Sequence, residues 1–479
     1  MTGTNKNPVA EPCSEFTAMR PRWELIDALL GGTLAMRAAG ERWLPKEPKE
    51  DQTSYDVRLN RSILFTAYSD TIDDLVSKPF SRPVKKEGKS IPDWLQEIID
   101  NCDRQGTNLD QFARELFSEC LNRGLTHILV DNMRTARPDG QKLTLADEQK
   151  VGVRPYFVHI RPTQLIGWRF ETINGKPKLT QIRWRESTTI PDGNYGEKVI
   201  ETIRVYTPTT WEIHTKNEKG EYALSESGNH TYPDGIPLVT CYVNKTGQMT
   251  AMPPLEGLAW LNLAHYQGDS DQKNLLRFIR FALLFFSGLT QEEIEKEVVL
   301  GPGRKFSSTN PDADAKFLEH TGAGAEAGRQ DLKDIEERMI AAGLDPIMSK
   351  PGNQTATGQS IDESHSQCSI LAWVNSLDLA LYNLFAIAGN WIGEELPDDF
   401  TVGIYKEFGL GPRAATDIDA LLKSVQAGKI SDKTYLIELK RRDVLSENVD
   451  VTDEIEEIAK QGPALGLLGR GDNIQGQGN

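Results

Sequence analysis

The sequence DPIMSKPGNQTATG, residues 345–358, runs without a break into a long segment of mixed apolar and polar residues that ends at Pro397. The first part is rich in turn-forming residues and has no apolar anchor, which is typical of an exposed loop. In the second part, apolar side chains recur at steps of three and four residues, the spacing of one helix face. These residues are Ile361, Cys368, Leu371, Leu379, Tyr382 and Ala386. The pattern predicts a helix over 359–397, with Thr357 capping its start.

A helix of this length has two interpretations. At about 1.5 Å per residue it would extend about 55 to 60 Å, which exceeds the diameter of a small domain. It is either a rigid rod that carries a mobile loop or a long core helix of a large helical domain. The pattern alone favours neither interpretation, and Gly389 leaves room for a kink.

The composition is that of a globular chain with 479 residues, long enough for two to four packed regions. The most apolar run, 275–286, is too short to cross a membrane and carries Arg277 and Arg280. No N-terminal stretch has the pattern of a secretory signal. We therefore expect a soluble, intracellular protein.

The formal net charge of −16 argues against a broad basic surface that grips nucleic acid. Loose contact is still compatible with it, because an acidic wall would repel DNA and let it slide. Solubility alone explains the same charge. The composition therefore leaves both readings open.

Catalytic and metal-binding patterns are not found in the sequence. It contains no phosphate loop, zinc-protease motif, nucleophile elbow or kinase signature. The five cysteines are scattered and form no CxxC pair, and the seven histidines are isolated. We therefore expect no catalytic residues, no metal, no cofactor and no enzymatic activity.

The order of the predicted elements indicates an α+β chain with several regions. Helices are expected over 21–38, 55–76 and 109–123, followed by strands in THILVD (126–131) and RPYFVHI (154–160). From about residue 165, short alternating runs such as LTQIRWRE and IETIRVYT predict a β-rich module that ends with IPLVTCYVN (236–244).

The second half of the chain is predicted to be mainly helical. A helix over 255–286, interrupted by the polar QGDSDQKN, is followed by strand-like residues near 298–300 and 316–318. A charged helix over 330–342 precedes the loop and long helix, and a strand is expected over 400–405. Helices over 413–462 and a glycine-rich tail complete the chain.

This succession of elements resembles that of the tailed-bacteriophage portal, or head-to-tail connector, proteins. The segment WLPKEPKEDQTSYDVRLNRSILFTAYSDTIDDLVSKPFSRP, residues 43–83, also resembles the N-terminal signature of one portal family. The resemblance implies a homo-oligomeric ring, usually a dodecamer, at one capsid vertex. Double-stranded DNA would pass through its channel during packaging and ejection, with a terminase motor, the major capsid protein and a tail adaptor protein as partners. The protein would be located in the virion after assembly in the bacterial cytoplasm.

The resemblance also implies a division of the chain into regions. These regions are wing parts at 1–165 and 289–344, a β-rich stem and clip region at 166–250, a stem helix at 251–288, a tunnel loop at 345–358, a tunnel-lining helix at 359–397, a wing strand at 398–411, a helical crown at 412–464 and a disordered tail at 465–479.

Two sets of residues are candidates for contact with DNA in such a channel. The tunnel loop would offer one positive charge and several short polar groups per subunit, which suits weak, sequence-independent phosphate contact. Its residues are Lys350, Asn353, Gln354, Thr355 and Thr357. The stem-helix candidates are Lys273, Arg277 and Arg280. The structural alternative for the loop is an ordinary exposed connector. For the stem-helix residues, the alternative is pairing with acidic neighbours.

The apolar residues of the stem helix also have two interpretations. Leu275, Phe278, Ile279 and Leu283 would line either a subunit interface or a monomer core. Two other functional classes compete with the portal: another virion structural or head-completion protein, and a nucleic-acid-processing enzyme with an unrecognised metal site.

Overall fold

The structure is a computed structural model that describes residues 8–132, 153–280, 283–289, 310–318, 323–343, 356–406, 414–441, 444–445 and 449–461. Helices and strands are both abundant, in keeping with the predicted α+β class. The chain divides into two compact units, Met1–Lys406 and Glu407–Asn479.

The helices of the described chain are numbered here in chain order. They are α1 (Ser14–Leu30), α2 (Gly32–Ala39), α3 (Gln52–Arg61), α4 (Ala67–Ser77), α5 (Asp93–Asp100), α6 (Leu109–Arg123), α7 (Glu256–Arg280), α8 (Ala323–Ala342), α9 (Ala356–Ile392), α10 (Ala414–Gln426), α11 (Asp432–Arg441) and α12 (Val451–Gln461). The last three belong to the second unit.

The strands are likewise numbered in chain order and all lie in the first unit. They are β1 (Lys85–Glu87), β2 (Leu125–Asn132), β3 (Pro155–Ile160), β4 (Leu165–Ile173), β5 (Lys176–Asp192), β6 (Gly196–Tyr206), β7 (Thr210–Lys216), β8 (Tyr222–Asn229), β9 (Leu238–Tyr242), β10 (Lys245–Gly247), β11 (Thr250–Ala251), β12 (Leu283–Ser287), β13 (Asp314–Leu318) and β14 (Thr401–Gly403).

A three-stranded antiparallel sheet lies at the centre of the first unit. Its order is β3-β2-β9, so the central strand β2 is paired on both sides. Residues 125–131 of β2 are all buried, including the polar residues Thr126, His127 and Asp131. Helices α6 and α9 both contact β2.

A five-stranded antiparallel sheet follows in simple meander order, β4-β5-β6-β7-β8. Trp184 and Tyr206 on one of its faces share a buried cluster with Leu129 of β2. On the other face, Ile166 and Ile203 pack against α1. One end of the sheet is thus held between the central sheet and a helix.

The hairpin of β5 and β6 extends beyond the rest of this sheet. Residues 187–192 of β5 pair with residues 196–201 of β6, whereas β4 reaches only Trp184 and β7 only Thr202. We call this two-stranded extension, residues 187–201, the β-arm. Its residues are exposed apart from Ile200, which is half-buried, so the β-arm has no packed core of its own.

The predicted helices differ from the observed ones mainly at breaks. The helix expected over 21–38 is two helices, α1 and α2, separated at Gly31, and the one expected over 55–76 is α3 and α4 with a break at 62–66. The helix over 109–123 is confirmed at both ends, where Asn108 caps the start and Gly124 adopts a left-handed conformation at the end.

The break expected in α7 was wrong. QGDSDQKN lies inside a continuous helix that ends at Arg280, and the chain then enters β12, so Leu283 is a strand residue. Gln267 donates to the carbonyl of Trp43, and Gln272 to that of Ala325, so two polar residues of this segment hold neighbouring elements. Tertiary hydrogen bonds therefore stabilise a stretch that has weak helical periodicity.

The long helix α9 exists, but the apolar face predicted from spacing is only partly buried: Leu371 and Ala386 are half-buried, and the side chains of Ile361 and Cys368 lie outside the described set. Leu379 is 63% exposed and Tyr382 is 44% exposed. Among the side chains of this helix that the structure describes, the buried hydrophobic ones are Ile370, Trp373, Val374, Leu377, Ala380, Leu381, Leu384, Phe385 and Ala388. They pack the C-terminal half of α9 against the central sheet, as expected of a core helix.

One segment of the described chain, Ser369–Ile392, is long and apolar enough to cross a membrane by length and composition. A core helix of a folded domain meets the same test. Since this segment is the part of α9 that contacts β2, β3 and β9, its apolar character is accounted for by packing within the unit.

The remaining predictions are confirmed only in part. Strand β14 covers only part of the expected 400–405 and pairs with β1. Residues 316–318 lie in β13, which pairs with β12 in the antiparallel direction, whereas 298–300 fall outside the described residues. The helical character expected of 413–462 is found in α10, α11 and α12. The tail, 465–479, lies outside the described residues.

Candidate functional site

The N-terminal half of α7 is anchored in the first unit by a buried amide. Asn262 is fully buried; its carbonyl oxygen accepts from the backbone nitrogen of Tyr68 at 3.0 Å, and its amide donates to the carbonyl of Phe65 at 2.9 Å. Both partners belong to the segment that starts α4. This pair of hydrogen bonds fixes the position of α7 relative to α4, because each buried backbone group would otherwise be unpaired.

The C-terminal half of α7 carries the predicted stem-helix residues. Lys273 and Arg277 are exposed and four residues apart, so they lie on one face of the helix. Lys273 pairs with Asp269 at 2.6 Å, the acidic-neighbour alternative considered from sequence. Arg280 is the last residue of α7, and its side chain is outside what the structure describes.

A third cation, which sequence reasoning missed, lies on the neighbouring helix α3. Arg61 is exposed and lines the same groove as Lys273 and Arg277. We call this feature the α3–α7 groove; its walls are residues of α3 and α7, and Ser62 and Ser270 meet across it with their hydroxyl oxygens 2.8 Å apart. The signal was present in RLNR, residues 58–61, where two arginines are one turn apart.

The other arginine of that motif has a structural role. Arg58 is buried and forms two bonds to Glu50, from Nε at 2.9 Å and from Nη2 at 2.8 Å, and donates to the carbonyl of Pro45 at 2.7 Å. Hydrogen bonding to Glu50 raises the pKa of Arg58, and the same bonds lower the pKa of Glu50. Arg58 is therefore neutralised by its own partner.

Arg61 and Arg277 differ from Arg58 and Lys273 in their partners. Among the residues that the structure describes, no carboxylate pairs with Arg61 or Arg277. Two like charges that line one groove repel each other. The α3–α7 groove thus carries two arginines that have no carboxylate partner among the described residues, in a chain of net charge −16.

The tunnel-loop residues cannot be placed in the same way. Lys350, Asn353, Gln354 and Thr355 lie outside the described residues, and so does the loop that contains them up to the start of α9. Thr357 lies in the first turn of α9, but its side chain is outside the described set. The prediction of phosphate contact by this loop stays a prediction.

The apolar residues considered for a subunit interface or a monomer core lie in two elements, α7 and β12. Leu275 and Ile279 are half-buried on α7, while the side chains of Phe278 and Leu283 are outside the described set. Helix α8 packs along α7, so part of this face contacts the same chain. Within the described ranges, no group of three or more His, Cys, Asp or Glu is arranged to hold a metal ion.

Comparison with known proteins gives a partial family match and a set of remote structural similarities. A family model described as a domain of unknown function, DUF4055, matches residues 254–392. No curated protein matches the chain.

Three of the similar solved chains come from gene transfer agent (GTA) particles. One is from the neck of an empty GTA particle, with 11% identity, a TM-score of 0.43, and coverage of 78% of this chain and 90% of that one. A second is from the neck of a native GTA particle computed with C12 symmetry, with 11% identity, a TM-score of 0.41, and coverage of 78% and 89%. A third is from the virion of a native GTA particle, with 11% identity, a TM-score of 0.42, and coverage of 86% and 98%.

Proposed function

We propose that this chain is a portal-type structural protein of a phage or phage-like virion and that it assembles into a ring with a central DNA channel. The observation that carries the proposal is the order of elements. A mixed α/β body, a meander sheet with a projecting β-arm, a strand leading into a long helix, and a second long helix entered from TATG follow one another as in the portal family.

The β-arm supports a role in an assembly. An isolated two-stranded hairpin is marginally stable in water, and the β-arm presents Val199, which is 61% exposed, and Tyr195, which is fully exposed. Apolar side chains on such an extension become useful when another chain covers them. In the portal assignment this region belongs to the clip, which faces the packaging motor and later the tail adaptor protein.

The other regions receive the roles given by the resemblance. Helix α7 would be the stem helix and α9 the tunnel-lining helix, although the buried half of α9 is a core element of the body. The chain would act without catalysis of its own, so a terminase motor would supply the work of packaging. The major capsid protein would surround the ring at its vertex.

Electron-microscope imaging of the purified full-length chain tests this proposal, with the particle mass measured in parallel. We expect closed rings of about a dozen subunits around an open channel. A compact monomer or dimer at high protein concentration, or a closed assembly without a channel, would contradict the proposal. The second result would favour a different virion structural component.

A further inference from the structure

We infer that the α3–α7 groove is a phosphate-binding site, with Arg61 and Arg277 as the paired guanidinium ligands and Lys273 as a third cation at its rim. The inference rests on the proposed function in one respect: the phosphates expected there belong to the backbone of double-stranded DNA. The residue that it adds is Arg61, which is supplied by α3 rather than by the stem helix.

The first reason is the difference in pairing among the cations of this region. Arg58 is buried with Glu50, and Lys273 pairs with Asp269, so both have a counter-charge within the chain. Arg61 and Arg277 have none among the described residues, although acidic residues outnumber basic ones by 70 to 54 in the whole chain. An anion between two guanidinium groups would remove their repulsion.

The second reason is the chemistry of the groups. A guanidinium is planar and presents N–H donors in a fork that matches the oxygen atoms of a phosphate. One of them, Arg61, comes from α3 and the other, Arg277, from α7, and the half-buried Asn274 adds a neutral polar group to the same lining.

The third reason is that the groove is rigidly built at its base. Arg58 ties α3 to Glu50 and to the carbonyl of Pro45, and the Ser62 and Ser270 hydroxyls hold the two helices together. Arg61 and Arg277 therefore project from fixed backbone positions, while their side chains are exposed and able to meet a ligand. Such a base lowers the entropy cost of binding.

The experiment compares the doubly substituted chain Arg61→Ala/Arg277→Ala with a control of equal charge change, Arg114→Ala/Lys198→Ala. The control residues are exposed on α6 and on the β-arm. Binding of a fluorescein-labelled DNA duplex is measured by anisotropy over a series of salt concentrations. Thermal unfolding of each variant checks that it is folded.

We expect Arg61→Ala/Arg277→Ala to bind the duplex about tenfold or more weakly at low salt. The slope of log affinity against log salt should fall by about two, because each lost phosphate contact lowers it by about one. The control should keep the wild-type slope. Equal slopes for the groove variant and the control would overturn the assignment to DNA.

Inorganic pyrophosphate separates a DNA site from a site for small phosphates. If pyrophosphate raises the melting temperature of the wild type but not of Arg61→Ala/Arg277→Ala, while their DNA binding is equal, the groove takes free phosphates. If neither probe distinguishes the groove variant from the control, no phosphate binds there and the inference is wrong.

Imaging of the same samples separates this inference from the proposed function. If the wild type forms rings and the groove variant has the same salt slope of DNA binding as the control, the phosphate-binding inference is wrong and the portal proposal is unaffected. If the groove variant has a reduced salt slope but the wild type forms no rings, the groove binds DNA and the portal proposal is wrong. The substitution is not expected to prevent ring formation, since both side chains are exposed and unpaired in the described chain.

Discussion

The two longest helices of the described chain, α7 with 25 residues and α9 with 37, differ in what their surfaces contact. In its C-terminal half, α9 buries apolar side chains against the central sheet, and none of its buried residues is charged. Helix α7 is anchored through polar groups such as Asn262 and then presents cations on an exposed face. A helix that is apolar on most sides holds a fold together, whereas an amphipathic one leaves a surface for a ligand.

The largest effect on this comparison should come from the core of α9. Phe385 is fully buried, with ring centroids 5.6 Å from those of both Phe157 and Phe400. Phe385→Ala should lower the free energy of unfolding by about 3–5 kcal/mol, because it leaves a cavity among these rings. Urea unfolding measures this loss.

The matched control for that substitution lies on the same helix. Leu379→Ala removes an exposed side chain and should change the free energy of unfolding by less than about 0.5 kcal/mol. Equal losses for Leu379→Ala and Phe385→Ala would mean that Leu379 is packed as tightly as Phe385, contrary to its exposure.

The anchor of α7 should give the next largest effect. Asn262→Ala leaves the backbone nitrogen of Tyr68 and the carbonyl of Phe65 without their partner, at about 1–3 kcal/mol for each buried group. Asn274→Ala, on the half-buried part of the same helix, should cost less than about 0.5 kcal/mol. Chemical denaturation of both variants checks the difference; similar values would show that the polar anchor is unimportant.

The sheet beneath α9 should make stability depend on pH. Burial lowers the pKa of His127 to about 3 and that of His159 to about 4, whereas the unfolded chain has the ordinary value near 6.5. The unfolded state therefore binds more protons, so stability is complete above pH 6.5 and is lost as the pH falls towards 4. The slope should be about 1.4 kcal/mol per pH unit for each histidine.

Unfolding curves measured between pH 7 and pH 5 test this dependence before most carboxylates titrate. His159→Gln keeps a polar partner for Thr126, which lies 2.8 Å from the ring nitrogen, and removes one titrating group. Its slope should be smaller than that of the wild type by about 1.4 kcal/mol per pH unit. An unchanged slope would mean that His159 is not a source of acid sensitivity.

The smallest effect on stability should come from the exposed face of α7. Lys273→Ala breaks an exposed pair with Asp269, and such pairs contribute less than about 1 kcal/mol. We expect a change of less than about 0.5 kcal/mol in the free energy of unfolding, together with a weaker salt dependence of DNA binding. A loss comparable to that of Asn262→Ala would show that this face is structural rather than a surface for a ligand.

Local patterns in the sequence were sufficient for elements with clear end signals. Helix α6 was predicted to the residue, since Asn108 and Gly124 mark its ends and apolar residues recur between them. The strands of the meander sheet were found from alternation in runs such as LTQIRWRE. Both signals depend only on neighbours along the chain.

The misassignments came from segments whose state depends on distant residues. The break expected in α7 is removed by contacts of Gln267 and Gln272 with other elements. On α9, apolar residues surround much of the helix, so spacing did not reveal that Leu379 faces outward and Leu377 inward. The choice of face is made by the sheet against which the helix packs.

Only part of the candidate site was predicted from the sequence. Lys273 and Arg277 were recognised because they are one turn apart on one helix. Arg61 is more than two hundred residues away along the chain and enters the groove because α3 packs against α7. No local pattern connects two such segments.

The sequence by itself determined the types of element, their order, the acidic balance of charge and the resemblance that suggests a portal-type function. Those properties are encoded by local spacing, turn residues and composition. Only the tertiary structure decided which face of α9 is buried, that α7 is continuous, and that Arg61 and Arg277 line one groove with no carboxylate partner among the described residues. Burial and pairing depend on the free energy of contacts between residues remote in the chain, which periodicity does not contain.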